Sequence, residues 1–279
     1  MSHTRLIVTF SFVAAVAVSA RAQNARDIVR QAVQTELVSA QNDHSHWLYF
    51  EFDRQPDKSV KQWVAEARSV SLNRVIERNG QSLPASEQSQ ELSAFINDPQ
   101  AQKKQHKGSQ HDDEQAAELL KILPDAFLWN VEGEKGSEMM LHFKPDPQFH
   151  PPDLEARVFA AMEGEMIIDS RQHRIATLKG RLIRDVKIGY GLLGELKAGG
   201  TFDVERRELT PEVWEITETH IHIDGHALIF KTISENEDDV KSHFKQINQA
   251  TSLEEAKQEL MQLAPDPSKE GTRASLARH

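Results

Sequence analysis

From Arg26 to Ala40 apolar residues recur every three or four positions, at Ile28, Val29, Ala32, Val33, Leu37 and Ala40, with charged and amide residues between them. This spacing predicts an amphipathic helix. The period then shortens to two in Trp47-Leu-Tyr-Phe-Glu-Phe52, so that Leu48, Phe50 and Phe52 share one side of a strand and Trp47, Tyr49 and Glu51 the other. Aromatic residues on both sides predict a central strand. Val60 to Arg68 and Val70 to Arg78 read as further strands, the second closed by the turn-forming pair Asn79-Gly80. A helical insertion over 84–123 follows. Its first helix runs from Pro84 to Ile96, and its second from Asp112 to Leu123, opened by capping aspartates and stopped by Pro124. Between them Pro99 to His111 holds no hydrophobic residue larger than alanine, which predicts a mobile loop over 99–111.

After Pro124 the pattern turns to β. Phe127, Trp129 and Val131 alternate, Gly133 to Gly136 turns, and Met139 to Phe143 returns as a hairpin. Asp153 to Met162 reads as a short helix, Gly164 to Asp169 and Arg174 to Ile188 as strands, and Thr201 to Leu209 as another, with Phe202 and Val204 inward. Trp214 to Ser234 carries Asp224-Gly225, a pair favoured in two-residue turns. A hairpin there pairs Ile223 with His226, Glu218 with Lys231 and Ile216 with Ile233. One of its faces then holds Ile221, Ile223, Leu228 and Phe230. A last helix, Leu253 to Leu263, ends at Pro265, and residues 265–279 form a polar tail. About ten strands with few crossover helices make a single antiparallel α+β domain over 23–264.

The first residues modify this picture. Leu6 to Ala20 is an uncharged apolar run, shorter than the roughly 20 residues of a membrane span, and Ala20-Arg-Ala22 supplies small residues at the positions that signal peptidase reads. Residues 1–22 are therefore expected to be a signal peptide, cleaved between Ala22 and Gln23, and the chain to be exported, to the periplasm. With no cysteine among 279 residues there is no disulfide framework, thiol nucleophile, thiolate metal site or lipid-anchoring cysteine, so the exported chain is expected to be unanchored. A formal net charge of -10 without a basic cluster argues against nucleic acid as a partner.

Candidate chemistry is sparse. Gly189 to Gly194 matches G-x-G-x-x-G, but Glu195 to Gly200 is too short and glycine-rich for the helix that a dinucleotide requires, so no cofactor is expected. His220 and His222 point the same way from a strand, as metal ligands can, and His44 and His46 repeat the spacing. A pair needs a third ligand, and half-exposed strand histidines without metal are the plainer reading. G-x-S-x-G, H-E-x-x-H, S-x-x-K and the phosphate-binding loop do not occur. The acidic run Glu235 to Asp239 reads as a solvated strand end or loop. No catalytic residue is assigned, and binding is expected in place of catalysis.

Gly164-Glu-Met-Ile-Ile-Asp-Ser170, Arg174 to Gly180, Gly199-Gly-Thr-Phe-Asp-Val204, Trp214-Glu-Ile216, Ile223-Asp-Gly225 and Leu228 to Lys231 lie in a layout that resembles the outer-membrane lipoprotein-sorting family, the LolA-like group. The resemblance covers roughly Trp47 to Lys231, and the insertion over 84–123 departs from the family's smaller carriers. It implies a strongly curved antiparallel sheet, an incomplete β-barrel, with helices covering its concave side and an apolar cavity that shelters acyl chains. The implied function is a non-enzymatic periplasmic binding or carrier protein for a lipid or an acylated protein. Phe202, Val204, Ile221, Ile223, Leu228 and Phe230 are the candidate cavity lining. Two other readings remain: an envelope assembly or stress protein acting through protein contacts at the insertion, and a metal-dependent hydrolase built on the H-x-H pair.

Overall fold

The computed structural model describes residues 9–188, 194–227 and 236–267. They are α+β, with antiparallel strand pairing, and fall into two compact units. The first draws on Met1–Gln41, Ala117–Phe202 and Gly225–Leu228, the second on Asn42–Ala116, Asp203–Asp224 and Ile229–His279.

The first unit holds the helix α1 (Thr9–Asn42) and the strands β5 (Phe127–Lys135), β6 (Glu138–Pro145), β7 (Met162–Asp169) and β8 (Arg174–Leu182), in the order β8-β7-β6-β5. The predicted hairpin forms, with Gly136 at φ 66° in its turn and a bulge between Val131 and Gly133. Phe127, Trp129 and Phe143 alternate inward and pack ring on ring, at centroid distances of 4.6 to 5.9 Å, with Phe159 of the short helix α4 (Leu154–Phe159) against Phe127. Asp153 caps α4 by accepting from the Ala156 amide. Glu36 of α1 reaches β8, where its carboxylate accepts from the Arg174 guanidinium at 3.1 Å and from the Ile175 amide at 2.7 Å, with both side chains nearly inaccessible. A small sheet, β13 (Gly225–Ala227), β10 (Gly194–Leu196) and β9 (Val186–Ile188), completes the unit.

In the second unit β1 (His46–Gln55), β2 (Lys58–Ala67), β3 (Val70–Arg78), β4 (Gln81–Ser82), β11 (Thr201–Thr210, from Asp203 on), β12 (Val213–His222) and β14 (Asn236–Ile247) line up as β4-β3-β2-β1-β14-β12-β11. β1 is central, as its two aromatic faces predict. Leu48, Phe50, Trp63, Leu72 and Ile76 turn to one face, where α2 (Ala85–Ile96) supplies Leu92 and α5 (Leu253–Gln262) supplies Ala256 and Leu260. Ser252 and Glu255 close a capping box on α5. At its other end buried Arg74 donates to the Leu260 and Leu263 carbonyls at 2.5 and 2.9 Å, and to Gln88 of α2 at 2.7 Å.

Two expectations are corrected. Residues 99–111 are not a loop: they open the helix α3 (Pro99–Ala126). Asp98 caps its first turn, Gln102 donates to the Phe95 and Ile96 carbonyls at the end of α2, and Gln105 bonds both backbone groups of Ser71. Alanine, glutamine and lysine are good helix formers, and amide side chains anchor this segment where apolar contacts are lacking. The Asp224-Gly225 hairpin does not form either. β12 pairs with β14, with Glu218 opposite Val240, His220 opposite Asp238 and His222 opposite Asn236, while Gly225 begins β13. The acidic run read as a solvated strand end or loop is, from Asn236 on, the start of β14, a strand held between β1 and β12, where both rows of backbone hydrogen bonds are satisfied.

Candidate functional site

Directly opposed residues of antiparallel strands point to the same face. Glu51 opposes Lys241 and Asp53 opposes Asp239 across β1 and β14, and Ile221 opposes Glu237 across β12 and β14. Gln62 opposes Glu51 from β2. These residues share the face of Tyr49, away from α2 and α5. A bulge sharpens it: the register of β1 and β14 shifts between Leu48 and Phe50, His243 takes φ 57°, and Phe244 is turned toward Trp47 and Tyr49, with ring centroids at 6.2 and 5.3 Å. Trp47, Tyr49 and Val64 form a buried apolar band, flanked by the partly buried Leu209, Val213 and Phe244.

Charge gathers beside that band. The Lys241 ammonium lies 3.4 Å from Asp239, 3.9 Å from Glu51 and 5.5 Å from the centre of the Tyr49 ring. Gln62 donates to the other oxygen of Glu51, and Glu66 accepts from the Trp47 amide at 2.8 Å. Burial raises the Glu51, Glu66, Glu237 and Asp239 carboxyls above the usual carboxylate range. Glu215 is pushed up to about 7 by burial and then by the charges of Glu66 and Asp43. Burial pulls Lys241 down, but Asp239 and Glu51 outweigh it and raise the ammonium. The Tyr49 phenol is pushed well up by burial, then by Glu51, Glu66, Asp239 and Glu215. These groups exchange or hold protons and accept hydrogen bonds from N–H donors.

The H-x-H pair sits on the other face. His220 Nδ1 lies 2.7 Å and His222 Nε2 3.2 Å from Asp238 Oδ1, and Arg54 binds Asp238 Oδ2 at 2.5 Å. Burial pushes Asp238 up, but hydrogen bonds from Arg54 and His220 prevail and hold it at about 2. Among the described residues no three His, Asp or Glu side chains are placed to hold a metal ion.

The described residues of the candidate cavity lining are divided between the two units. Phe202 belongs to the first unit, where it covers Gly180: a Cβ on that glycine would lie 2.2 Å from its ring. Val204 and Ile221 are half-buried and Ile223 is buried in the second unit. Leu228 and Phe230 lie outside the described residues, as do positions 189–193 of the glycine motif. Gly194, the last residue of that motif, opens the strand Gly194–Leu196. Ala22 and Gln23 lie within the backbone span of α1. A half-open recess of about 290 Å³ on the helix-bearing face, lined by Phe50, Phe52 and Val240 with Lys61, Ser242 and His243, falls at the small end of ligand pockets.

Sequence reasoning missed Lys241, Asp238 and Asp239, because a run of acids before a lysine carries the composition of a loop. The usable signal was alternation: Glu237, Asp239 and Lys241 fall on one side, Asp238, Val240 and Ser242 on the other. Among the described residues no helix is long and apolar enough to cross a membrane. Comparisons with protein-family models, curated proteins and solved structures found no match to this chain.

Proposed function

We propose that the chain is an exported, non-enzymatic binding or carrier protein for a lipid-like or acylated ligand, and that the ligand seats on the Tyr49 face of the second unit. One observation carries this reading: the apolar band of Trp47, Tyr49 and Val64, with Leu209, Val213 and Phe244, adjoins the charged set of Glu51, Lys241 and Asp239 on the same face. An amphiphile needs that combination, an apolar surface for its chain and polar groups to orient its head. We further propose that the sheet bends into an incomplete barrel of the lipoprotein-sorting kind. Bulges at Leu48/Phe50, Lys61/Gln62, Val131/Gly133 and Ile167/Ile168 support this, because each extra residue bends its strand. Helices α2 and α5 pack on the face opposite to the proposed ligand, a departure from a cavity roofed by helices.

The test is native mass spectrometry of the gently purified exported protein, joined to displacement of an apolar fluorescent dye by dodecanol. The expected product begins at Gln23, retains a lipid and loses its dye to dodecanol. Absence of both retained lipid and dye binding would remove the reading.

A further inference from the structure

We propose that the head group received on the Tyr49 face is an organic cation, a primary ammonium, with its apolar chain laid along Leu209, Val213 and Phe244; this rests on the lipid-like reading above. One group on this face lacks a partner that the fold would be expected to supply. Asp239 Oδ1 is buried without a hydrogen bond. Tyr49, 8% exposed, stands on the same face, its phenol pushed up by burial and then by Glu51, Glu66, Asp239 and Glu215. A buried polar group left unpaired is costly, so a site carrying one is suited to a ligand that completes it.

The chemistry of the missing partner follows from the group that waits for it. A carboxylate oxygen only accepts, so Asp239 requires a donor. The surrounding carboxylates outnumber Lys241, so an anionic donor is repelled and a cationic one attracted. Aromatic rings attract cations as well, and Lys241 Nζ beside the Tyr49 ring marks where an ammonium is accommodated. A compact metal ion is the poorer fit, since no three ligand side chains converge among the described residues. An ammonium carries N–H donors in three directions, suited to carboxylates on neighbouring strands.

The mature chain is titrated with dodecylammonium, dodecanol and dodecanoate, each below its micelle concentration, and with 1,6-hexanediammonium as a cation lacking the long tail. Dodecylammonium is expected to bind about tenfold more tightly than dodecanol, with dodecanoate weakest, because charge-assisted hydrogen bonds are the strong ones. Asp239→Asn and Glu51→Gln are each expected to weaken dodecylammonium about tenfold and dodecanol by a smaller factor, and Tyr49→Phe to weaken dodecylammonium about threefold. Glu118→Gln, on exposed α3, controls for general attraction to an acidic chain, and is expected to have no effect. Equal binding of the three dodecyl compounds, or an equal loss in Glu118→Gln, overturns the ammonium assignment while the lipid reading stands. Binding of the diammonium alone, sensitive to Asp239→Asn, removes the lipid reading and leaves the cation site. Binding of none removes both.

Discussion

Glu36 takes a charge into the core of the first unit, where it meets Arg174 and the Ile175 amide. It stands in the polar interval Gln34-Thr35-Glu36 between Val33 and Leu37 on an amphipathic helix, and nothing local to the sequence distinguishes it from the solvated polar residues around it. Burial makes the pair sensitive to being broken. Glu36→Ala leaves the guanidinium without its two-pronged partner, and is expected to cost about 3–5 kcal/mol in urea unfolding, whereas Glu36→Leu with Arg174→Met is expected to be neutral or stabilising by about 1–4 kcal/mol. A double variant as unstable as the single one would show that shape rather than charge governs the site. Gly164 and Gly180 make the same point about residue scale. They oppose each other across β7 and β8, and a Cβ on Gly164 would lie 1.9 Å from the Lys179 carbonyl oxygen. A sequence shows a glycine, not the backbone that approaches it.

At the scale of elements, local periodicity was enough for β1, β3, the β5–β6 hairpin and α5, because each buries one regular face and carries its own turn or cap. α3 and β14 escaped it for opposite reasons. The first part of α3 is held by amide side chains reaching backbone groups of other elements, and β14 by ladders to β1 and β12, so neither needs a strong apolar pattern of its own. Partner choice was likewise invisible: Asp224-Gly225 is a good turn pair, but β12 finds a longer ladder on β14. α5 offers a test of how such elements are secured. Its last carbonyls are bound by Arg74, and Arg74→Met is expected to destabilise the second unit by about 3 kcal/mol, through the buried acceptors it abandons. Ser252→Ala, which removes only the cap at the other end, is expected to cost about 1 kcal/mol. Thermal unfolding followed by circular dichroism ranks the two; equal losses would assign Arg74 a minor part.

For the molecule as a whole, the crowded face of Glu51, Glu66, Glu215, Glu237 and Asp239 sets how stability varies with pH. These carboxyls are raised in the fold, so between the ordinary value near 4.5 and, for Glu215, about 7 the folded chain keeps protons that the unfolded chain has released. Raising the pH through that window therefore removes stability. His220, raised chiefly by its hydrogen bond to Asp238, adds stability below its unfolded value of 6.5 and loses it as pH climbs past its folded value, in the same direction. Asp238 works the other way: its contribution is present above 3.8 and disappears as pH falls toward about 2. Stability is expected to be greatest near pH 4–5 and to decline toward pH 8, with Glu215→Gln flattening the decline; urea unfolding at intervals of pH checks it, and a rise from pH 5 to 8 would contradict it. Little of this site was legible beforehand, since a lone Glu215 among 43 acids has no mark of burial.

The sequence by itself determined the α+β class, the antiparallel character, the central place of β1 and most of the strands and short helices, because hydrophobic period and turn residues act over a few neighbouring positions. Only the tertiary structure decided that an acidic run becomes β14, that Lys241 stands among carboxylates from several strands, and that Phe202 covers a glycine. Those outcomes depend on which strands pair and on what each side chain meets across the sheet, and distances of that kind are written in no local pattern.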